Sequence, residues 1–497
     1  MIKRALWALL ISVPLVGCRG TVQVGIERTP TPDHSMAATL EALVDENHYL
    51  ATQVAAQVAA IPSSLDLGQL AYVRGGDIWI MTLLDETSRP QRLTTDGHNR
   101  EPRWSASGRW LAFRKERATS SAEFPAATPG FGISVLRRQV WLIQADGTGE
   151  HSLNQGAAVE AFTWSPTNDR LAYATAGGGL STINADGTGL VTLIAESPSP
   201  PMGERQAGHI SWSPDGNWIV YEWRIQPANR FLAYQGLWKV PAAGGTPVEL
   251  YNSGVPDQSE SILVGWSSSG TEVLFLQNRS PGSSLIDGGQ LYAAHADAGG
   301  SADTSPSQIA YETILTYSDF VALAPPGTSG TNRQPIAFVA GEGRNTWSNK
   351  RIISVGRRIT SADMAVISPA WSPDGSRLAF VAMPDQGEVE SVESAELMQR
   401  RIWVANASGD LQTRRLTDAR GYRDEHPLWS ADGDYILFAR MDARGRTSLW
   451  IISSNGGFPR QVVDELTPAP DPLDTYGHVD WGDYFDWWRG SGGPAQE

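Results

Sequence analysis

Histidine, glutamate, aspartate and arginine side chains recur along this chain just ahead of a repeated tryptophan. His98, Arg100 and Glu101 precede Trp104, Glu160 precedes Trp164, and His209 precedes Trp212. Asp424, Glu425 and His426 precede Trp429, and His478 precedes Trp481. Imidazole nitrogens and carboxylate oxygens drawn from separate segments form the donor set of a metal centre, with His98, His426 and His478 as its histidines. Without a metal, the same groups can bind a polar ligand, hold channel water or tie down the ends of strands. Which of these happens depends on the elements that carry them.

Those elements are repeats. Trp104-Ser-Ala-Ser-Gly, Trp164-Ser-Pro-Thr-Asn, Trp212-Ser-Pro-Asp-Gly, Trp266-Ser-Ser-Ser-Gly, Trp371-Ser-Pro-Asp-Gly and Trp429-Ser-Ala-Asp-Gly are six copies of one unit. Leu323-Ala-Pro-Pro-Gly is a degenerate copy and His478-Val-Asp-Trp481-Gly a truncated one, so successive anchors lie 48 to 60 residues apart. In the fullest copies Pro presets φ, Asp caps the turn and Gly tolerates positive φ, which makes the unit a hairpin turn between two strands. Alternating residues such as Arg377, Leu378, Ala379 and Phe380 follow as the second strand. Ile78-Trp79-Ile80, Val140-Trp141-Leu142, Leu237-Trp238-Lys239, Ile402-Trp403-Val404 and Leu449-Trp450-Ile451 mark a third, and turns such as Ala145-Asp146-Gly147-Thr148 lead into a fourth. Four strands per period make the blade of an all-β propeller. Eight anchors predict eight blades, with seven as the alternative because the Leu323 copy is weak.

The recurring Trp-Ser-Pro-Asp-Gly followed by Leu-Ala-Phe resembles the TolB family of propellers over residues 68–482. TolB itself implies six blades and an N-terminal α/β domain, for which residues 36–62 are too few. Residues 68–96 hold strands without an anchor and 478–481 an anchor without strands, so joining them would close the ring as a composite blade. That closure brings His98, His426 and His478 onto three adjacent blades, with His209 across the channel. The related oligogalacturonate lyases carry a histidine-rich metal site in a comparable place.

Strand alternation also separates two faces. Tight turns share one; the long segments 115–138, 224–235, 278–289 and 383–400 share the other, together with the channel-mouth residues. Irregular loops on one face mark the binding surface.

At the N-terminus Lys3 and Arg4 precede an apolar run from Ala5 to Leu15, and Leu15-Val16-Gly17-Cys18 follows. This resembles a bacterial lipoprotein signal and implies cleavage of residues 1–17 and a lipid on Cys18, the chain's one cysteine, anchoring it outside the cytoplasm. Residues 18–35, with Thr29-Pro30-Thr31-Pro32, read as an extended tether. From 36 to 62 a heptad-like spacing of Met36, Leu40, Leu43, Leu50, Val54 and Ile61 predicts a short helix that packs on its own propeller or joins two copies of the chain. Residues 483–497 read as a tail whose aromatic residues pack beneath the closing blade.

A formal charge of -15 disfavours nucleic acid as a partner. No Gly-x-Ser-x-Gly elbow is present, and the Asn184-Ala-Asp-Gly turn lacks the spaced acids of a calcium loop. The expectation is a lipid-anchored, non-catalytic binding or scaffold protein of the cell envelope without a cofactor, its partner a protein or a glycan. The alternative is a metal-dependent lyase or hydrolase of an extracellular polysaccharide.

Overall fold

The Ser-Pro-Asp-Gly segments form the turns their residues dictate. In the copy at Trp212, Ser213 Oγ donates to Asp215 Oδ1 at 2.5 Å, and that oxygen accepts the Asn217 N–H at 3.0 Å. The same hydroxyl oxygen accepts the Trp218 N–H at 2.9 Å, so one Ser–Asp pair satisfies the whole bend. Gly216 supplies the φ of 72° the bend needs. Equivalent bonds recur at Ser372–Asp374 and Ser430–Asp432, and hydroxyl donors from Ser372 and Ser376 pull the Asp374 carboxyl down to about 2.

The computed structural model describes residues 67–490 except for short internal segments, the longest being 119–135. Cys18, the tether and the expected helix at 36–62 lie outside the described residues. The strands form eight four-stranded antiparallel sheets, one per blade. First strands run Asn99–Trp104 in blade 2, Val159–Trp164 in blade 3, Arg205–Trp212 in blade 4 and Glu260–Trp266 in blade 5. Blades 6 to 8 begin with Val321–Leu323, Met364–Trp371 and Tyr422–Trp429. First strands touch between blades 1 and 2, 3 and 4, 4 and 5, 6 and 7, and 7 and 8, and so line the axis. The Leu323 copy is a full blade: Leu323 pairs with Ile336 as Trp104 pairs with Leu111. Two expected loops are partly strand, because the central strands of blade 2 run on to Ala118 and resume at Leu136, and those of blade 4 run to Ile225 and resume at Tyr234.

Hydrophobic cores lie between blades. Leu111 and Phe113 of blade 2 meet Ala71 and Ile78 of blade 1, and Ile219 and Tyr221 of blade 4 meet Ala172 and Leu180 of blade 3. Anchor indoles add a directional bond across five of the joins. Trp164 Nε1 donates to Arg103 O, Trp212 to Thr163 O, Trp266 to Ser211 O, Trp371 to Ala322 O and Trp429 to Ala370 O, at 3.0–3.3 Å. Each acceptor is the residue before the previous blade's anchor, Leu323 included. Trp104 departs from the pattern: its Nε1 is buried without a hydrogen-bond partner among the described residues, and its backbone N–H donates to the Asp486 carboxylate at 2.7 Å.

The ring closes as a composite blade, but not at the expected residues. Blade 1 takes its first strand from Phe485–Trp488, which pairs with Gln69–Arg74. Leu70 lies opposite Trp487, the register of Leu111 and Trp104, so Trp487 is the closing anchor. Trp481 sits instead in a 3₁₀ turn, Trp481–Asp483. The blade therefore extends past 482 into the expected tail. A last strand has no partner to turn into, which removes the need for the Ser-x-x-Gly signature that marks the other anchors.

Candidate functional site

Counting back from the corrected anchors exposes two rings of residues at the channel mouth. Four residues before each anchor stand Arg100, Glu160, Gly208, Ile262, Asp319, Ile367, Glu425 and Asp483; three before stand Glu101, Ala161, His209, Leu263, Phe320, Ser368, His426 and Tyr484. Asp319 and Asp483 occupy the same offset as Arg100, Glu160 and Glu425. Sequence counting passes over Asp483 because Trp481 mimics its anchor, and passes over Asp319 although Leu323 is counted as an anchor.

First strands bulge at this point. Pairing register slips between Arg100 and Arg103, between Ile367 and Ala370 and between Glu425 and Leu428. Glu101, Ser368 and His426 there adopt φ of 53°, 53° and 54°. Non-glycine residues in this region cost about 1 kcal/mol or more each and are held by their surroundings. Each precedes a proline, Pro102, Pro369 or Pro427, a sequence signal for the bulge two residues before the anchor.

Half of the mouth is filled by the chain itself. The segment from Tyr476 to Tyr484, leading to the closing strand, packs over blades 6 to 8. Thr346 donates to Tyr476 O through both N and Oγ1, and Arg400 Nη1 donates to Gly477 O at 2.6 Å. His478 Nε2 then meets Asp319 Oδ1 at 2.7 Å, while Ser368 Oγ donates to Asp319 Oδ2 at 2.5 Å. The His478 ring stacks on Tyr317 at 4.3 Å. Burial opposes charge on both partners, yet each outweighs it for the other: the Asp319 carboxyl is held at about 2, and His478 titrates above the usual imidazole range. The order is Ser–Asp–His, with the carboxylate in the middle. A serine activated as a nucleophile needs the imidazole in the middle, so this trio clamps a segment and does not activate Ser368.

The neighbouring acids are consumed in the same way. Glu425, 1% exposed, pairs with Arg400 at 2.5 Å and accepts Trp481 Nε1 at 3.0 Å. Asp424 receives Arg440 bidentately at 2.6 and 3.0 Å. His426 stands edge-on to Phe485, and burial lowers its pKa. Asp483 is pushed up to about 6 by burial and by Asp480 and Glu101.

The other half of the mouth, over blades 2 to 4, presents polar side chains. Arg114 holds the Glu101 carboxylate and donates to the carbonyls of Val159 and Glu160. Glu160 is exposed, as is His98, whose Nδ1 lies 2.5 Å from Asp96 O. Arg100 reaches toward Glu116 at 3.6 Å. His209, its side chain 58% exposed, has Nδ1 3.0 Å from both oxygens of Glu222, a fully buried carboxylate that also accepts the Leu263 N–H. Glu222 thus fixes the ring and leaves its outer edge toward solvent. Glu222 occupies the second-strand position that Arg114 occupies in blade 2.

The expected metal triple is not assembled. His98 turns to its own loop and His478 to Asp319, and among the described residues no group of three His, Cys, Asp or Glu side chains could hold a metal ion.

No family model matches the chain. Solved structures do. Dipeptidyl peptidase 4 from Porphyromonas gingivalis aligns at 12% identity with a TM-score of 0.51, over 83% of this chain and 61% of the peptidase. The likeness is one of fold alone. This chain spans about three-fifths of that enzyme's length. An oligogalacturonate lyase from Vibrio parahaemolyticus aligns at 12% identity, TM-score 0.41, over 83% of this chain and 89% of the lyase. A putative TolB from Agrobacterium tumefaciens aligns at 16% identity, TM-score 0.30, over 68% of this chain and 94% of that one. Identities this low speak to the fold alone.

Proposed function

We propose that this propeller is a non-catalytic binding protein of the cell envelope, lipid-anchored through Cys18, which offers the open half of its loop-bearing face to an envelope protein or glycan. The observation that supports it most is the mutual satisfaction of the ionisable groups at the mouth. Asp319 is taken by His478 and Ser368, Glu425 by Arg400 and Trp481, Asp424 by Arg440 and Glu101 by Arg114. Groups locked in such pairs shape a surface and are poorly placed to shuttle protons. Crosslinking of the full chain in envelope membranes tests the reading: wild type should capture a defined partner, and a Glu160→Ala, His209→Ala double variant should capture less of it. Equal capture by both would overturn the placement of the binding face.

A second reading, a polysaccharide lyase or hydrolase, rests on one feature. An exposed imidazole oriented by a buried carboxylate, His209 on Glu222, is how a general base or a metal-bound histidine is held. Metal analysis of the purified chain decides: a stoichiometric transition metal lost in His209→Ala would replace the first reading.

A further inference from the structure

On the opposite face, among the tight turns, blades 4 and 5 leave a cleft of about 420 Å³ lined by Asp215, Trp218 and Lys239 of blade 4 and by Trp266, Ser269 and Asp297 of blade 5. That volume falls within the ~300–1,000 Å³ of small-molecule sites.

Another join of the ring shows one way such a wedge is closed. Between blades 7 and 8, Arg377 occupies the position of Trp218, six residues after its anchor. Its guanidinium lies 4.7 Å over Trp429 and donates to Gly433 O and Ser454 Oγ at 3.0 and 3.2 Å. The matching sites between blades 4 and 5 are Trp266, Gly270 and Ala296; among the described residues no arginine bonds to them, and Ala296 is reached by Lys239 instead. Between blades 2 and 3 the turns are joined by Arg109 and Asp169 at 2.8 Å. Lys239 is a second departure. It pairs with Val220, the residue before the aromatic of the second strand, and that register equals the one of Leu142, Val404 and Ile451, apolar residues of blades 2, 7 and 8. Here a lysine 8% exposed reaches Ala296 O at 2.5 Å with its ammonium 4.3 Å over the Trp218 ring.

This lining selects a chemistry. The Lys239 ammonium repels a second cation, and Asp215 and Asp297 repel an anion. Carboxylates, hydroxyl and ammonium together offer acceptors and donors to a ligand with several hydroxyls, and the indoles offer apolar surface to a ring's C–H face. We propose that the cleft between blades 4 and 5 binds a neutral saccharide ring, as a site separate from the loop-bearing face.

Saturation-transfer NMR and calorimetry on the detergent-solubilised full chain test it, with glucose, galactose, N-acetylglucosamine, maltose, cellobiose and chitobiose as probes and glucuronate and arginine amide as charged controls. At least one neutral probe should bind, with a Kd of order 0.1–10 mM, and the charged controls should not. Trp218→Ala, and Asp297→Ala at an exposed position, should each weaken binding by about tenfold or more, with circular dichroism unchanged for Asp297→Ala. Glu160→Ala with His209→Ala should leave it intact, which separates this site from the partner-binding face. Failure of every neutral probe to bind, preferential binding of a charged control, or binding that persists in folded Asp297→Ala and Trp218→Ala chains would overturn the assignment.

Discussion

His478 Nε2 and Asp319 Oδ1 lie 2.7 Å apart although 159 residues separate them, and the contact ties the segment before the closing strand to the entry of blade 6. Blades 7 and 8 lie between. The clasp therefore fastens the segment before the closing strand to blade 6, across blades 7 and 8.

Its pH dependence follows from the two shifts. His478 titrates above its unfolded value of 6.5, so its contribution is complete below that pH and is lost as pH rises through the raised value. Asp319 titrates at about 2 against 3.8 unfolded, so its contribution is present above 3.8 and is lost as pH falls toward 2. The clasp is strongest between those limits. Asp319→Asn should cost about 3 kcal/mol at pH 5–6 and less at pH 9. Denaturant unfolding at both pH values checks this; an equal loss at the two would refute the charged clasp.

Trp104 and Trp164 are matched probes of the inter-blade bond, 7% and 8% exposed, of which only Trp164 has a carbonyl for its Nε1. Replacing each by Phe removes the same ring volume. Trp164→Phe should therefore destabilise by about 1–3 kcal/mol more than Trp104→Phe, because the latter deletes a buried donor that already lacks a partner. Equal losses in thermal unfolding would show that the indole bonds add nothing to packing.

Blade number and strand order were legible because one local unit, a serine-led turn behind a tryptophan, serves six of the eight blades and needs no distant residue. Where that unit is not physically required, the reading slipped. Phe485–Trp488 enters a sheet already built from Gln69–Arg74 and makes no turn, so nothing in Phe-Asp-Trp-Trp resembles an anchor. Leu323 keeps the anchor's place in the core but not its indole. Of the candidate histidines, His209 and His426 lie on first strands, whereas His478 lies ahead of the closing strand; Glu222 reaches His209 from the paired strand of the same blade, but Asp319 reaches His478 only because the ring closes.

Asp483 carries the opposite sign from Asp319. Burial and the nearby Asp480 and Glu101 raise it from 3.8 to about 6, so its folded-state advantage exists below 3.8 and vanishes as pH rises through 6. At neutral pH the ionised carboxylate is a liability. Asp483→Asn should stabilise the chain by about 1–3 kcal/mol at pH 7 and by little at pH 4. A destabilised variant at pH 7 would mean that the charge is needed, for example to hold Arg103.

Ring closure gives the sharpest structural test. A chain ending at Gly490 keeps Phe485–Trp488 beside Gln69–Arg74 and the Trp487 Nε1 bond to Leu67 O at 2.8 Å. One ending at Asp483 loses all of it, bares the edge of blade 1 and removes Phe485 and Trp487 from the core shared with blade 8. The longer truncation should therefore unfold at a lower denaturant concentration and tend to self-associate through the open edge, whereas the shorter should match the full chain. Unfolding midpoint and light scattering read both effects. Identical behaviour of the two truncations would show that blade 1 stands without its closing strand.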